Sequence, residues 1–103
     1  MEDEERVLLY RNISLDLVSR KALIKGSTIS LRNKEYSLLE YFMRNSNRVL
    51  TRTRLLEDVW DRNIFCSTNT VDVHVSSLRR KFKKYIKFEI IKTIHCIGYR
   101  FGD

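Results

Sequence analysis

The sequence predicts an α+β fold in which an antiparallel sheet comes first, three helices follow, and a β-hairpin ends the chain. Three observations support this order. Residues 7–31 contain short segments in which apolar and polar side chains partly alternate, as they do in strands. Residues 33–85 carry apolar side chains at helical spacing, and residues 88–101 return to a β-branched, alternating pattern. A chain of 103 residues has the length of one domain.

The N-terminal part of the chain divides into a short polar stretch and a set of strands. Residues 1–6 show no apolar periodicity and include four acidic side chains, so we interpret them as a linker or tail and residues 7–103 as the domain. Four short segments separated by turn-like residues then predict a small antiparallel meander: Val7–Tyr10, Ile13–Val18, Lys21–Lys25 and Thr28–Leu31.

Two helices are predicted next. The first covers residues 33–45, where apolar side chains fall on one side at helical offsets. A very short strand, Arg48–Thr51, precedes the second helix, Arg52–Asp61, and Thr51 is expected to be its N-cap. Residues 62–67 have no helical stripe and are predicted to form a loop.

The third helix, residues 68–85, has the clearest pattern in the chain, and Ser67 or Thr68 is expected to cap it. Its apolar side chains recur at spacings of four and three, which predicts one buried stripe: Val71, Val75, Leu78, Phe82 and Tyr85. The opposite face has small side chains near its start and basic ones near its end: Asn69, Asp72, Val73, Ser76, Ser77, Arg80, Lys83 and Lys84. Such a face fits the major groove of DNA, which is about 12 Å wide.

The charge of the chain agrees with a polyanionic partner. Twenty Lys and Arg stand against thirteen Asp and Glu, for a net charge of +7. Without the four N-terminal acids, residues 6–103 hold twenty basic and nine acidic side chains, a net charge of +11. Nucleic acid is the first partner that this charge indicates, and an acidic membrane surface the second. The sequence has neither a signal peptide nor an apolar run of spanning length, so we expect a cytoplasmic protein.

The order of the predicted elements indicates a winged helix-turn-helix. A second helix, a loop and a third helix with an exposed basic face form the helix-turn-helix arrangement. The hairpin that follows, residues 89–101 with a turn at 95–98, is then the wing. The predicted function is sequence-specific binding of double-stranded DNA, with helix 68–85 in the major groove and wing 89–101 on the adjacent backbone or minor groove.

These residues also resemble a known family, the effector domains of OmpR/PhoB-type response regulators, over nearly all of residues 7–102. The motifs that carry the resemblance lie in order along the chain: Lys34–Leu39, Arg48–Arg52, Leu55–Trp60, Thr70–Lys81, Ile91–Ile94 and Gly98–Phe101. The resemblance implies a transcription regulator of a two-component system. Such a domain follows a receiver domain that a sensor kinase phosphorylates, and it binds promoter DNA at direct repeats. It also implies that loop 61–67 contacts RNA polymerase, which leaves open whether Ile64 and Phe65 engage that partner or pack into the domain itself.

Candidate DNA-contacting residues come from the exposed face of the third helix and from the resemblance. Those expected to contact bases are Asn69, Val73, Ser76, Ser77, Arg79 and Arg80, of which Arg79 rests on the resemblance. Val73 midway along the face suits a thymine methyl group. Those expected to contact the DNA backbone are Arg52, Trp60, Thr70, Lys83, Thr93, His95 and Tyr99, all implied by the resemblance except Lys83. Asp72 would be repelled by phosphate, so we expect it to orient an arginine or cap the first turn.

The chain departs from the family at three places and retains one of its glycines. The family often has arginine where Ser76 or Ser77 stands, so its usual base specificity does not transfer. It commonly has Arg-Gly where this chain has His95-Cys96, which weakens a minor-groove contact. It usually has Thr or Ser at the position of Arg32, as the N-cap that Glu35 completes, so the first helix is expected to fray or to be capped by Asn33. Gly98 is retained and is expected to supply a turn conformation.

Other function classes fit less well. Cys66, Cys96, His74 and His95 are suitable zinc ligands, but their spacing matches no structural zinc pattern, so no metal or cofactor is predicted. The sequence has no phosphate loop and no nucleophile with a plausible base, so an enzyme is not predicted. Double-stranded RNA is disfavoured because its major groove is too narrow for a helix.

Overall fold

The computed structural model describes residues 6–60 and 67–103.

The first sheet is made of four consecutive strands. Strands β1 (Val7–Tyr10), β2 (Ile13–Asp16), β3 (Lys21–Ile24) and β4 (Ser27–Ile29) pair in sequence order, each antiparallel to the next. Lys25 and Gly26 connect the last two strands with φ of 54° and 85°, the positive values of a two-residue type I′ turn. Local hairpins therefore account for the whole sheet.

Three helices and one short strand follow. They are α1 (Asn33–Arg44), β5 (Val49–Thr51), α2 (Arg52–Val59) and α3 (Asn69–Phe82). Thr51 belongs to two elements at once, because it is the last residue of β5 and its hydroxyl accepts the N–H of Arg54, 3.1 Å away, as the N-cap of α2. That cap was predicted from the sequence.

The second sheet joins distant parts of the chain. Strands β6 (Ile91–Ile94) and β7 (Gly98–Phe101) form the C-terminal hairpin, and β5 pairs with β7 on its other side, in the order β5-β7-β6. Thr51 lies opposite Gly98, and Val49 lies opposite Arg100. The wing is thus tied by hydrogen bonds to the residues that begin α2.

A single apolar core lies between the first sheet and the helices. Alternate residues of β2 and β3 enter it, and α1 contributes Leu38, Leu39 and Phe42, none of them measurably exposed. The Phe42 ring stacks on Phe101 of β7 with centroids 6.1 Å apart, so the core also reaches the second sheet. Within the parts of the chain that the structure describes, no helix has the length and apolar character needed to cross a membrane.

The predicted fold is confirmed, with small differences in element bounds. Helix α3 ends at Phe82 and not at residue 85, so Tyr85, the last residue of the predicted buried stripe, lies beyond the helix and is half-buried. The N–H groups of Tyr85 and Ile86 both return to the carbonyl of Phe82, at 2.9 and 2.8 Å, and this turn brings the buried Ile86 against the core. The predicted loop at 62–67 falls outside the described residues except for Ser67, whose hydroxyl accepts the N–H of Asn69 at 3.3 Å.

The expectation for the start of α1 was wrong. Arg32 is the N-cap, and its backbone N–H donates to the Glu35 carboxylate at 2.9 Å, which is the half of a capping box that does not need a Ser or Thr. Asn33 does not cap the helix, because its side-chain oxygen accepts from Arg20 at 2.7 Å. Glu35 has partners on α3 that the local sequence does not reveal.

The expectation for Gly98 was also wrong. Its backbone is not in the left-handed region, and the positive φ of the wing turn, 63°, belongs to Cys96. A Cβ on Gly98 would lie 2.0 Å from the carbonyl oxygen of Leu50. Glycine is needed here because the backbone of the neighbouring strand β5 approaches this position closely, so the requirement is one of space and not of turn conformation.

Candidate nucleic-acid interface

The two faces of α3 differ as the sequence predicted. Four side chains point into the core, each at most 3% exposed: Val71, Val75, Leu78 and Phe82. The opposite face is open, and Val73 near its centre is 64% exposed. This face makes no core contact and is therefore available to a partner.

The sequence-predicted base contacts divide into two groups in the structure. Asn69, Val73, Ser76 and Arg80 are exposed along the open face of α3. Ser77 and Arg79 are only partly exposed, because their polar groups bond to other parts of the domain. The structure therefore brings four of the six residues together on one accessible surface.

Ser77 belongs to a buried polar cluster that joins α3 to α1. Its hydroxyl donates to one oxygen of the Glu35 carboxylate, and Lys81 donates to the other at 2.5 Å. Glu35 is 2% exposed, and it is the buried charged residue of the described chain. Burial alone would raise the pKa of Glu35, but the bonds from Lys81, Ser77 and the Arg32 N–H outweigh it and lower the pKa to about 2. The carboxylate is therefore ionised at neutral pH.

Asp72 is the centre of a second polar cluster, on the opposite flank of α3. One of its oxygens accepts from Arg52 Nε of α2 at 2.9 Å and from the Tyr99 hydroxyl of β7 at 2.5 Å. Burial opposes ionisation, yet the bonds from Tyr99 and Arg52 leave the pKa of Asp72 below its ordinary value. Asp72 thus orients an arginine, as the sequence predicted, and it also holds the wing strand to α3.

Arg79 fixes the position of the wing. Its guanidinium donates to the carbonyl of Ile91 at 2.7 and 3.0 Å and to the Thr93 hydroxyl at 2.7 Å, and it lies 5.4 Å from the centre of the Tyr99 ring. These bonds connect the last turns of α3 to β6. The family resemblance implied a DNA contact for Arg79, and the sequence carried no signal for these bonds between α3 and β6.

The predicted backbone contacts lie on α2, α3 and the wing. Lys83, Thr93 and His95 are exposed, and Arg52 and Thr70 are half-buried. Tyr99 is 5% exposed and its hydroxyl hydrogen goes to Asp72. Trp60 is 8% exposed, with its ring edge-on to His74 at 5.0 Å. Loop residues 61–66, with Ile64, Phe65 and Cys66, lie outside the described residues.

Sequence reasoning missed Arg32 as part of this surface. Arg32 lies at the start of α1 and shares a cleft with Val73, Ser77 and Arg80 of α3. The sequence predicts only that Arg32 lies at the N-cap of α1, where arginine is unusual. A single sequence does not show which residues two helices bring together.

Comparison with known proteins gives a consistent result. Residues 26–101 match the family described as "Transcriptional regulatory protein, C terminal". Among curated proteins, the transcriptional regulatory protein CusR of Escherichia coli K12 is 40% identical over 88 residues, which are 85% of this chain and 39% of CusR. The phosphate regulon transcriptional regulatory protein PhoB of Pseudomonas aeruginosa is 33% identical over 100 residues, 97% of this chain and 43% of PhoB. The chain spans about two fifths of the length of these relatives.

The matched family is one of transcriptional regulators and not of enzymes. Solved structures agree with this result. The DNA-binding domain of the response regulator AdeR, in complex with an intercistronic region, superposes with a TM-score of 0.84 at 27% identity over 93% of this chain and 98% of that one. The response regulator DrrB of Thermotoga maritima, an OmpR/PhoB homologue, gives 0.82 at 27% identity over 97% and 46%. The chain belongs to the family of C-terminal domains of transcriptional regulatory proteins, of the OmpR/PhoB type.

Proposed function

We propose that the chain is the DNA-binding domain of a two-component response regulator and binds double-stranded DNA in a sequence-specific manner. The observation that carries the proposal is the open face of α3, which is free of core contacts, basic towards its end and flanked by the wing. A helix with such a face enters the major groove, and the wing then lies against the next stretch of backbone or minor groove.

The exposed residues of α3 are the proposed base contacts: Asn69, Val73, Ser76 and Arg80. Arg80 is the long donor among them, and arginine reads guanine through two hydrogen bonds. The proposed backbone contacts are Arg52, Thr70, Lys83, Thr93 and His95. Ser77 and Tyr99 have their hydroxyl hydrogens bonded within the domain, and Arg79 bonds to β6 through Nε and one terminal nitrogen, so we assign all three to the support of this surface and not to direct contact.

Salt dependence and sequence preference test the proposal together. Binding of the purified chain is measured by fluorescence anisotropy at several salt concentrations, on a duplex that the chain recovers from a random library and on a random duplex. We expect a steep fall of affinity with salt, since each phosphate contact releases counterions. Equal affinity for the two duplexes would refute sequence-specific binding.

Substitution of Arg80 tests the assigned face. We expect Arg80→Ala to weaken binding to the selected duplex by about 1–3 kcal/mol, as loss of a base-reading arginine does. Arg48→Ala is the matched control, because Arg48 is exposed beside Val49, at the end of β5 away from the wing turn. The assignment fails if the two variants bind alike.

The wider setting of the domain is also proposed. The relatives that the chain matches are more than twice its length, and the family is that of C-terminal domains, which supports a preceding domain. The resemblance to OmpR/PhoB-type regulators implies that this domain is a receiver, that a sensor kinase phosphorylates it, and that the protein acts in the cytoplasm on directly repeated promoter sites. Residues 1–6 would then be linker and 7–103 the domain. Footprinting of the full-length regulator on its own promoter tests this setting, and protection of one unrepeated site would contradict the direct repeats.

Contact with RNA polymerase through loop 61–67 remains the alternative role for that segment. It is supported by two apolar side chains, Ile64 and Phe65, in the segment that the sequence predicts to be a loop. Substitution of Phe65 separates the possibilities. Lost transcription activation with intact folding and DNA binding supports the contact, whereas lost folding supports a place in the core.

A further inference from the structure

A cleft of about 370 Å³ opens between the beginning of α1 and the exposed face of α3. Val73, Ser77 and Arg80 of α3 line it, together with Arg32 at the start of α1. Val73 is the side chain at the centre of the proposed DNA-facing surface. The cleft therefore lies beside the groove-facing part of α3, on the flank away from the wing.

The charges around this cleft are almost all positive. Arg32, Arg80 and Lys81 line it, and the one carboxylate among its lining residues is Glu35. That carboxylate is 2% exposed and is already bonded to Lys81 and Ser77, so it does not neutralise the two arginines. His74 lines the cleft as well, with Nδ1 held 2.8 Å from the Thr70 carbonyl.

The Arg32 guanidinium is placed to reach a ligand in the cleft. Arg32 is exposed, and its bond to Glu35 is made by the backbone N–H, which leaves the side chain out of that contact. Ser77 is short and its hydroxyl donates to Glu35, so position 77 of α3 offers no donor to a ligand beside Val73. Arg80 is the nearest long donor on the open face of α3, and Arg32 supplies a second one from α1.

We infer that Arg32 binds a DNA phosphate on the α1 flank of the recognition helix, a contact supplied from outside the helix-turn-helix and wing. A guanidinium binds phosphate through two parallel hydrogen bonds, and the cleft has room for one phosphate group between Arg32 and Arg80. This inference rests on the proposed function, because it needs α3 to lie in the major groove. It adds a phosphate contact beside Ser76 and Ser77, whose side chains are too short to provide one.

The test compares Arg32→Thr with Arg48→Thr, which removes the same charge at the end of β5 away from the wing turn. Threonine is a good N-cap, so Arg32→Thr keeps α1 intact, and thermal unfolding checks this. Binding is measured by anisotropy on the selected and the random duplex between about 0.05 and 0.5 M salt, a range over which counterion release changes affinity strongly.

We expect Arg32→Thr to weaken binding to both duplexes about five- to tenfold at 0.1 M salt and to reduce the slope of log K against log salt by about 0.9, the signature of one lost phosphate contact. Arg48→Thr should leave the slope unchanged. Arg32→Lys, which keeps the charge, should restore the slope and most of the affinity.

Several results would overturn the inference. Equal affinities and equal salt slopes for Arg32→Thr and Arg48→Thr would show that Arg32 does not contact a phosphate. A loss confined to the selected duplex, with an unchanged slope, would indicate a base contact instead. If the unsubstituted chain binds neither duplex, the proposed function itself fails, and this outcome is distinct from a failure of the Arg32 contact alone.

Discussion

Glu35 and Asp72 hold α3 to the rest of the domain from opposite flanks, with similar partners in different surroundings. Each carboxylate accepts from one basic side chain and one hydroxyl group. Glu35 is buried between α1 and α3, whereas the Asp72 side chain is 36% exposed between α3, α2 and the wing. Water can replace a lost partner of Asp72, but it cannot easily reach Glu35.

Because the two carboxylates differ in exposure, we expect one cluster to affect the stability of the domain and the other the orientation of its wing. A buried carboxylate that loses a partner pays the full desolvation penalty, while a partly exposed one loses only a modest net interaction. We therefore expect the Glu35 cluster to determine whether α3 stays docked. The Asp72 cluster should mainly determine how the wing and Arg52 are oriented.

Removal of the buried carboxylate should have the largest effect. We expect Glu35→Ala to lower the free energy of unfolding by about 3–4 kcal/mol, because it leaves Lys81 and Ser77 without their shared acceptor. Urea unfolding measures the loss. Glu40→Ala, on the same helix, removes only a surface i,i+4 pair with Arg44 and should cost less than about 0.5 kcal/mol. Equal losses in the two variants would remove the distinction between buried and exposed acids.

Acid should have the second largest effect, because it protonates Glu35. The pKa of Glu35 is lowered from 4.5 to about 2, so its stabilising contribution is complete above about pH 5 and is lost as the pH falls towards 2. We expect the stability difference between the unsubstituted chain and Glu35→Gln to shrink by about 2–3 kcal/mol over that range. Chemical unfolding at a series of pH values measures it. A difference that stays constant with pH would show that Glu35 is not held ionised in the folded chain.

Loss of the Ser77 hydroxyl should have a smaller effect, of about 1–2 kcal/mol on unfolding, since Glu35 keeps Lys81 and the Arg32 N–H. We expect Ser77→Ala to bind DNA within about twofold of the unsubstituted chain, because that hydroxyl points to α1 and a lost neutral contact is small. Anisotropy and urea unfolding on the same preparation check both. A large loss of affinity at unchanged stability would restore Ser77 as a base contact.

The matched change at the exposed carboxylate should have the smallest effect. Tyr99→Phe removes one hydroxyl from Asp72 without changing charge, and we expect a loss of about 0.5 kcal/mol in stability because water can take its place. Thermal unfolding compares it directly with Ser77→Ala. If Tyr99→Phe proved the more destabilising of the two, burial would not be what distinguishes the clusters.

The sequence predicted the elements well because they follow local patterns. The buried stripe of α3 and the Thr51 cap depend on residues close together in the chain, and both were correct. Asp72 was correctly expected to orient an arginine. Helical spacing places a side chain on a face, which was enough to identify Val73 as exposed.

Contacts between distant residues were not predicted. Ser77 has the helical phase of a DNA-facing residue, but Glu35, 42 positions away, takes its hydroxyl hydrogen. Gly98 was assigned a turn because glycine is common there, whereas its real constraint is the carbonyl of Leu50 on another strand. Arg79 was expected to contact DNA because the family resemblance implies it, and nothing near it in the sequence indicates its bonds to β6. None of these partners can be inferred from spacing along one chain.

The double use of Thr51 has a consequence for how the domain meets DNA. The residue that starts α2 is also paired with the first residue of the return strand of the wing, so helix and wing have a fixed separation. Because this separation is fixed, a duplex whose grooves are spaced differently has to bend or twist in order to contact both α3 and the wing. Base steps that deform easily are expected to raise affinity even where no side chain touches them.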